Sequence, residues 1–134
     1  MIVVDASAIV AILTGEPEGQ ALTEALDRAP AIMTSPVAVY EATLGLVRIL
    51  KRSVEDAEVD VMEFLRLARV AVQPIRPETA HVALEAFARY GKGRGHRARL
   101  NLGDCFIYAQ AKVGGASLLY KGDDFSKTDI ESAA

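Results

Sequence analysis

At 134 residues and 51% hydrophobic, the chain is sized for a single domain with its own core, and the composition excludes a disordered segment. A net charge of −3 excludes a protein that coats nucleic acid through its overall field, so a polyanionic partner has to meet a local basic patch. The one cysteine, Cys105, excludes an internal disulfide and a cysteine-based zinc site, and suits a reducing cytoplasm.

The chain opens on Ile2-Val3-Val4, a short apolar run that reads as a strand buried on both faces and stops at a carboxylate, Asp5. Ser7 is the expected N-cap of a first helix through Ile9, Val10, Ile12 and Leu13, which Gly15-Glu16-Pro17 breaks. This apolar stretch is too short to span a membrane and holds Asp5 within it. With no basic leader ahead of it, the expectation is a soluble, cytoplasmic protein without membrane attachment. A second helix starts near Glu18, with Ala21, Leu22, Ala25 and Leu26 on one face, and ends at Ala29-Pro30. Ala31-Ile32-Met33-Thr34 is a short buried strand. Ser35-Pro36 then supplies a cap and a proline in the first helical position. The apolar face of this third helix is read as Val37, Tyr40, Leu44 and Val47, with Glu41 just past its first turn.

Ser53 caps a fourth helix, with Asp56 where a capping box prefers Glu or Gln; its apolar positions are Val54, Ala57, Val61, Phe64, Leu65 and Ala68. Residues 70–74 read as a strand. Pro77 opens a fifth helix with Ala80, Ala83, Leu84, Phe87 and Tyr90 at helical spacing. From Gly91 to Asn101 the character changes: the segment holds three glycines together with Lys92, Arg94, His96, Arg97 and Arg99. A sixth helix begins near Leu102, carries Asp104 in its first turn, faces the core with Ile107, Tyr108 and Ala111, and ends at Gly114-Gly115. Ser117-Leu118-Leu119-Tyr120 is a last strand, running into Lys121-Gly122-Asp123-Asp124-Phe125. Beyond Asp129 the tail fades into small residues. Strands alternating with helices define an α/β domain over residues 1–134 with a mostly parallel sheet.

Asp5, Glu41, Asp104 and the Asp123-Asp124 pair all stand where strands or helices meet loops, positions that a parallel sheet can bring to one edge. Taken singly, each acid reads as a cap or a helix-dipole partner. Together, several carboxylates in one pocket raise one another's pKa values unless a cation neutralises them. Hard divalent ions with oxygen ligands, Mg²⁺ or Mn²⁺, are the natural partners, and such a site suits phosphodiester hydrolysis by an activated water. His81 reads as a surface residue, Cys105 as buried, and the aromatic residues as core rather than base-stacking platforms. No serine or cysteine lies at triad spacing from a histidine.

At these residues the chain resembles PIN-domain ribonucleases, specifically VapC toxins of toxin–antitoxin pairs. Val3-Val4-Asp5-Ala6-Ser7-Ala8 is similar to the family's first acidic motif and Tyr40-Glu41-Ala42 to its second. Leu100-Asn101-Leu102-Gly103-Asp104-Cys105-Phe106 is similar to the third, and residues 118–130 to the closing segment. The resemblance implies a PIN-like three-layer fold, a mainly parallel sheet with helices on both faces. It also implies Mg²⁺-dependent RNA cleavage with Asp5, Glu41, Asp104 and a fourth acid as catalytic residues. Asp124, next to the phenylalanine, is favoured over Asp123. Asp5 and Asp104 are the expected metal ligands, directly or through water. Ser7, Lys92, Arg94, Arg97 and Arg99 are candidates for holding RNA, and the loop's glycines suit closure over a flexible strand. A VapB-type antitoxin across the first helices and a homodimer are the implied partners. A phosphoryl-receiving signalling domain and an inactive PIN-shaped interaction module are the rival readings.

Overall fold

The computed structural model describes residues 1–134. Four three-residue strands, β1 (Ile2–Val4), β2 (Ile32–Thr34), β3 (Val70–Val72) and β4 (Ser117–Leu119), form one sheet in the order β3-β2-β1-β4, with every neighbouring pair parallel. Six helices connect and cover them: α1 (Ala6–Leu13), α2 (Gly19–Arg28), α3 (Pro36–Leu50), α4 (Val54–Leu67), α5 (Pro77–Tyr90) and α6 (Leu102–Gly114). A 3-10 turn follows at Phe125–Lys127. This is the expected three-layer α/β architecture.

The central strand is β1. Val3 pairs with Met33 on one side and Leu118 on the other, and Val3 and Val4 are wholly buried. The chain builds outward from β1 through β2 to β3, then returns to place β4 on the opposite side of β1. That reversal puts a topological switch point between β1 and β4, where open α/β sheets open a crevice at the carboxyl ends of their strands. Asp5 follows β1 and Asp124 follows β4, so both belong to this edge. The Thr34 hydroxyl, fully buried at the end of β2, donates to the Val4 carbonyl at 2.8 Å and ties β2 to β1 beside the crevice.

Four local expectations change. The N-cap of α1 is Asp5, not Ser7: the Asp5 carboxylate accepts from the Ser7 backbone N–H at 3.0 Å. An acid at the end of a strand can satisfy an orphan N–H of the next helix when the helix begins at once, and here Ala6 is already helical. The buried face of α3 is Ala38, Ala42, Gly45 and Leu46, while Tyr40 and Leu44 are exposed. The contact with α1 selects small residues, since a Cβ on Gly45 would fall 2.8 Å from Val10 Cγ2. In α5 the buried positions are Thr79, Ala83, Ala86 and Tyr90, leaving Leu84 and Phe87 exposed. The tail is also structured. Ser132 bridges in parallel to Leu118, with Leu118 N–H donating to Glu131 O and Ala133 N–H to Leu118 O, both at 2.9 Å.

The rotated face of α3 has a direct consequence for stability. Leu46→Ala removes a fully buried side chain and is expected to cost about 2–5 kcal/mol, whereas Leu44→Ala should cost less than about 1 kcal/mol. Urea unfolding of the two variants measures the difference.

Candidate active site

Asp5 is buried at 5% exposure, and its carboxylate is held from several sides. Besides the Ser7 N–H, the Ser7 hydroxyl donates to Asp5 Oδ2 at 2.5 Å and accepts from the Lys121 N–H at 3.0 Å. Asp5 N–H donates in turn to the Leu119 carbonyl at 2.9 Å. Ser7 therefore joins the acid that ends β1 to the loop that leaves β4. Burial pushes the Asp5 carboxyl above its ordinary range, the Ser7 and Ala6 hydrogen bonds oppose that rise, and the charge of Asp124 adds to it.

Asp104 is placed by a capping box. Asn101 caps α6 with its side-chain oxygen, which accepts from Asp104 N–H at 2.8 Å, and Asp104 Oδ2 accepts from Asn101 N–H at 3.0 Å. An aspartate thus closes a box usually built with Glu or Gln. The Asp104 carboxyl is pushed up to about 6, chiefly by burial and then by Asp5 and Asp124, with the Asn101 hydrogen bond lowering it.

Glu41 reaches the same place from α3. Its carboxylate lies directly against the bare Cα of Gly103 on α6, where a Cβ would collide with it. Burial first, then Asp5 and Asp104, push the Glu41 carboxyl up to about 7. Asp124, at the head of the 3-10 turn, raises both Asp5 and Asp104, while Asp123 perturbs neither. Asp5, Asp104 and Asp124 therefore feel one another's charge, and Glu41 feels Asp5 and Asp104, across one edge of the sheet. No group of three His, Cys, Asp or Glu side chains closes into a ready cage of direct ligands. The donor set is all oxygen and strongly anionic, which fits a hard, hydrated divalent cation better than a thiolate- or imidazole-seeking metal.

The segment bearing Asp124 is clasped from behind. Phe125 is buried and packs against Tyr120 at 5.3 Å between ring centroids. Asp129 accepts from the Tyr108 hydroxyl at 2.6 Å and pairs with Lys112 at 3.2 Å and Arg89 at 3.6 Å. These partners hold the Asp129 carboxyl below its usual range, the Tyr108 hydrogen bond foremost.

Lys92, Arg94, Arg97 and Arg99 are all exposed on the loop into α6, and none forms an ion pair, unlike Arg52, Arg66, Arg76, Arg89, Lys112 and Lys121. The loop is pinned at its base: Lys92 N–H donates to Leu100 O at 2.9 Å and Leu100 N–H to Tyr90 O at 2.8 Å, with Ala98 and Leu100 wholly buried. Gly93 and Gly95 take φ of 84° and 80°, so these glycines serve turn geometry. His96 stacks edge-on against Tyr90 and accepts the Ala98 N–H, a role internal to the loop. His81 is a surface residue beside Glu85. The Cys105 thiol is buried and pushed up to about 11, chiefly by burial and then by Asp104, which removes it as a nucleophile. Sequence reading missed Asn101, Gly103, Tyr108 and Asp129 as parts of the site. Asn101 three residues before Asp104 was the visible signal for the box.

A family model for the PIN domain matches residues 2–131. The chain belongs to the PIN-domain family, and within it to the VapC ribonucleases. Ribonuclease VapC42 of Mycobacterium tuberculosis is 42% identical over 138 residues, covering 98% of each chain. A VapC ribonuclease of Rhizobium meliloti is 42% identical over 138 residues, covering 95% of this chain and 97% of its own. Among solved structures, VapC20 of M. tuberculosis, described as a sarcin–ricin-loop-cleaving toxin, superposes with a TM-score of 0.75 at 19% identity. That match covers 97% of this chain and 96% of VapC20. VapBC2 of Rickettsia felis, solved with a DNA fragment from its promoter, gives 0.72 at 17%, covering 98% of this chain and 96% of that one. The two structural likenesses carry the fold.

Two outcomes follow for the acids. Raised carboxyls bind more protons folded than unfolded, so without divalent ions stability is greatest below the unfolded values near 4 and falls as pH climbs through about 6 and about 7. Thermal melts in chelator should show Tm dropping across that window, with added Mg²⁺ raising Tm more at pH 8 than at pH 5. Gly103→Ala displaces the far end of a flexible side chain, so it should fold with a near-normal Tm but lose most of the Mg²⁺-dependent rise.

Proposed function

We propose that this chain is a divalent-metal-dependent endoribonuclease, the toxin of a VapB–VapC type pair, working in the cytoplasm as a homodimer. The observation that carries the reading is the convergence of Asp5, Glu41, Asp104 and Asp124 on the switch-point edge of the sheet, where Asp5 caps α1, Asp104 closes the box of α6 and Glu41 lies against Gly103. Relatives with 42% identity over nearly the full length are named VapC ribonucleases, which supports it.

Asp5 and Asp104 would hold Mg²⁺ or Mn²⁺, directly or through water, with Asp124 beside them. When bound, the ion supplies positive charge to the phosphoryl group and makes water acidic enough to attack at neutral pH. Glu41, whose carboxyl is pushed up to about 7 in the metal-free site chiefly by burial, is placed to hold or accept the proton of the attacking water. Ser7 keeps Asp5 oriented. Lys92, Arg94, Arg97 and Arg99 are free to neutralise RNA phosphates on the approach to Asp104. The rival phosphoryl-receiving domain needs a free lysine at the site, and Lys121 is instead paired with Glu16 and Glu18. For an antitoxin, the groove of about 390 Å³ between α2 and α4, walled by Ile12, Leu26, Phe64 and the exposed Leu67, offers an apolar surface beside the first helices.

Incubation of the purified, antitoxin-free chain with total RNA tests the activity. Cleavage should require Mg²⁺ and fall by about 100-fold or more in Asp5→Asn and Asp104→Asn, the scale of losing one charge-stabilising group. A cut that survives chelation or either substitution contradicts the mechanism. For the loop, each phosphate contact contributes about 0.7 to the salt slope of single-strand binding. Replacing its four cations with glutamine should flatten that slope, and an unchanged slope excludes phosphate contact there.

A further inference from the structure

Beside Asp104 lies an apolar groove of about 430 Å³ between α5 and α6, walled by Leu84, Phe87, Leu102 and Phe106, with Lys92 and Asn101 at its rim. Leu84 is 67% exposed, Leu102 71% and Phe87 41%, so three large apolar side chains stand uncovered around one hollow. Such a cluster marks a binding surface more often than scattered exposed residues do. We infer that this groove receives a base of single-stranded RNA, stacked on Phe87, while Lys92 and Arg94 hold the adjoining phosphate. The inference rests on the ribonuclease reading and adds a subsite to it.

The groove is continuous with the acids. Asn101 lines the groove, and its backbone N–H donates to the Asp104 carboxylate at 3.0 Å. A strand whose phosphate lies at Asp104 therefore has the groove mouth as its immediate neighbour. The lip of the groove is positively charged. Lys92 lines the groove itself, the Arg94 guanidinium lies 5.9 Å from the Phe87 ring centroid, and neither cation is paired with an acid. In a chain of net charge −3, free cations on the lip of an apolar hollow match a ligand that joins a flat apolar face to an anion, and a nucleotide is built that way.

The aromatic wall of the groove is also rigid. Gly91 packs so closely on the Phe87 ring and carbonyl that no Cβ fits between them, and the parallel bridge from Gly91 to Leu100 fixes the loop behind it. Phe87 is thus an exposed aromatic ring held in place, which is what stacking needs if little entropy is to be lost on binding. Phe87 sits at helical spacing with the core positions of α5, and only the structure distinguishes it from them.

The test measures equilibrium binding in chelator, so that it does not depend on cleavage. Two fluorescent probes are used: a short single-stranded RNA of mixed sequence, and an abasic ribose-phosphate oligomer of the same length. Phe87→Ala should weaken binding of the base-bearing probe by roughly ten-fold or more and leave the abasic probe within about two-fold. Phe87→Tyr should restore binding, and Lys92→Gln should weaken both probes. Leu102→Ala, at the most exposed wall position, should repeat the Phe87→Ala pattern in milder form. An equal loss for both probes, no loss for either, or a wild-type chain that binds neither overturns the proposal. So does a Phe87→Ala chain that changes from dimer to monomer in light scattering, which would assign the groove to a second copy. Wild-type protein that discriminates the probes but cuts no RNA with Mg²⁺ leaves the groove standing and removes the nuclease reading.

Discussion

Four carboxylates are gathered where β1 and β4 leave the sheet, and their mutual repulsion is the constraint on which the rest of the molecule depends. Left to themselves, such groups would separate or take up protons. Each is instead held by a different device. Asp5 is fixed by capping α1 and by the Ser7 hydroxyl, Asp104 by the capping box with Asn101, and Glu41 by the gap that Gly103 leaves on α6. Asp124 is kept in place by the burial of Phe125 and the clasp around Asp129. The same hydrogen bonds that stabilise the helices hold the acids together, so folding and site assembly are one process.

Much of this was legible in the sequence because it depends on local rules. The alternation of strands and helices, the caps at Ser35 and Ser53, the proline openings of α3 and α5 and the acids at element boundaries all follow from nearest-neighbour chemistry. What was not legible depends on long-range contacts. Hydrophobicity ranks Tyr40 and Leu44 above Ala38, Ala42 and Gly45, but the close approach of α1 to α3 selects the small residues and turns the bulky ones outward. Asp5 and Ser7 rank alike as caps by residue type alone, and only the structure shows that the helix already begins at Ala6, which makes Asp5 the cap. The clasp on Asp129 brings together residues far apart in the chain, and no spacing rule foretells it.

The basic loop and the acidic edge are complementary parts of one surface. The overall charge is unfavourable for a polyanion, so under the proposed function attraction would have to be local, and the four unpaired cations on the segment that delivers Asp104 are where positive charge is available. Because the loop is pinned by Ala98, Leu100 and the Gly91 bridge, the backbone that carries those cations keeps a fixed relation to α6. A fixed relation matters more than added charge when the aim is to hold one phosphate among many.

The docking of residues 131–133 along β4 gives the two margins of the sheet different fates. Leu118 exchanges hydrogen bonds with the tail, so the β4 margin has backbone partners of its own. The other margin, β3, is three residues long, with Ala71 and Val72 exposed and Pro74 two positions beyond its end. A short strand closed off by proline is a poor template for adding another strand. The chain therefore guards a small, largely apolar sheet against edge-to-edge self-association with its own C-terminus on one side and with brevity on the other.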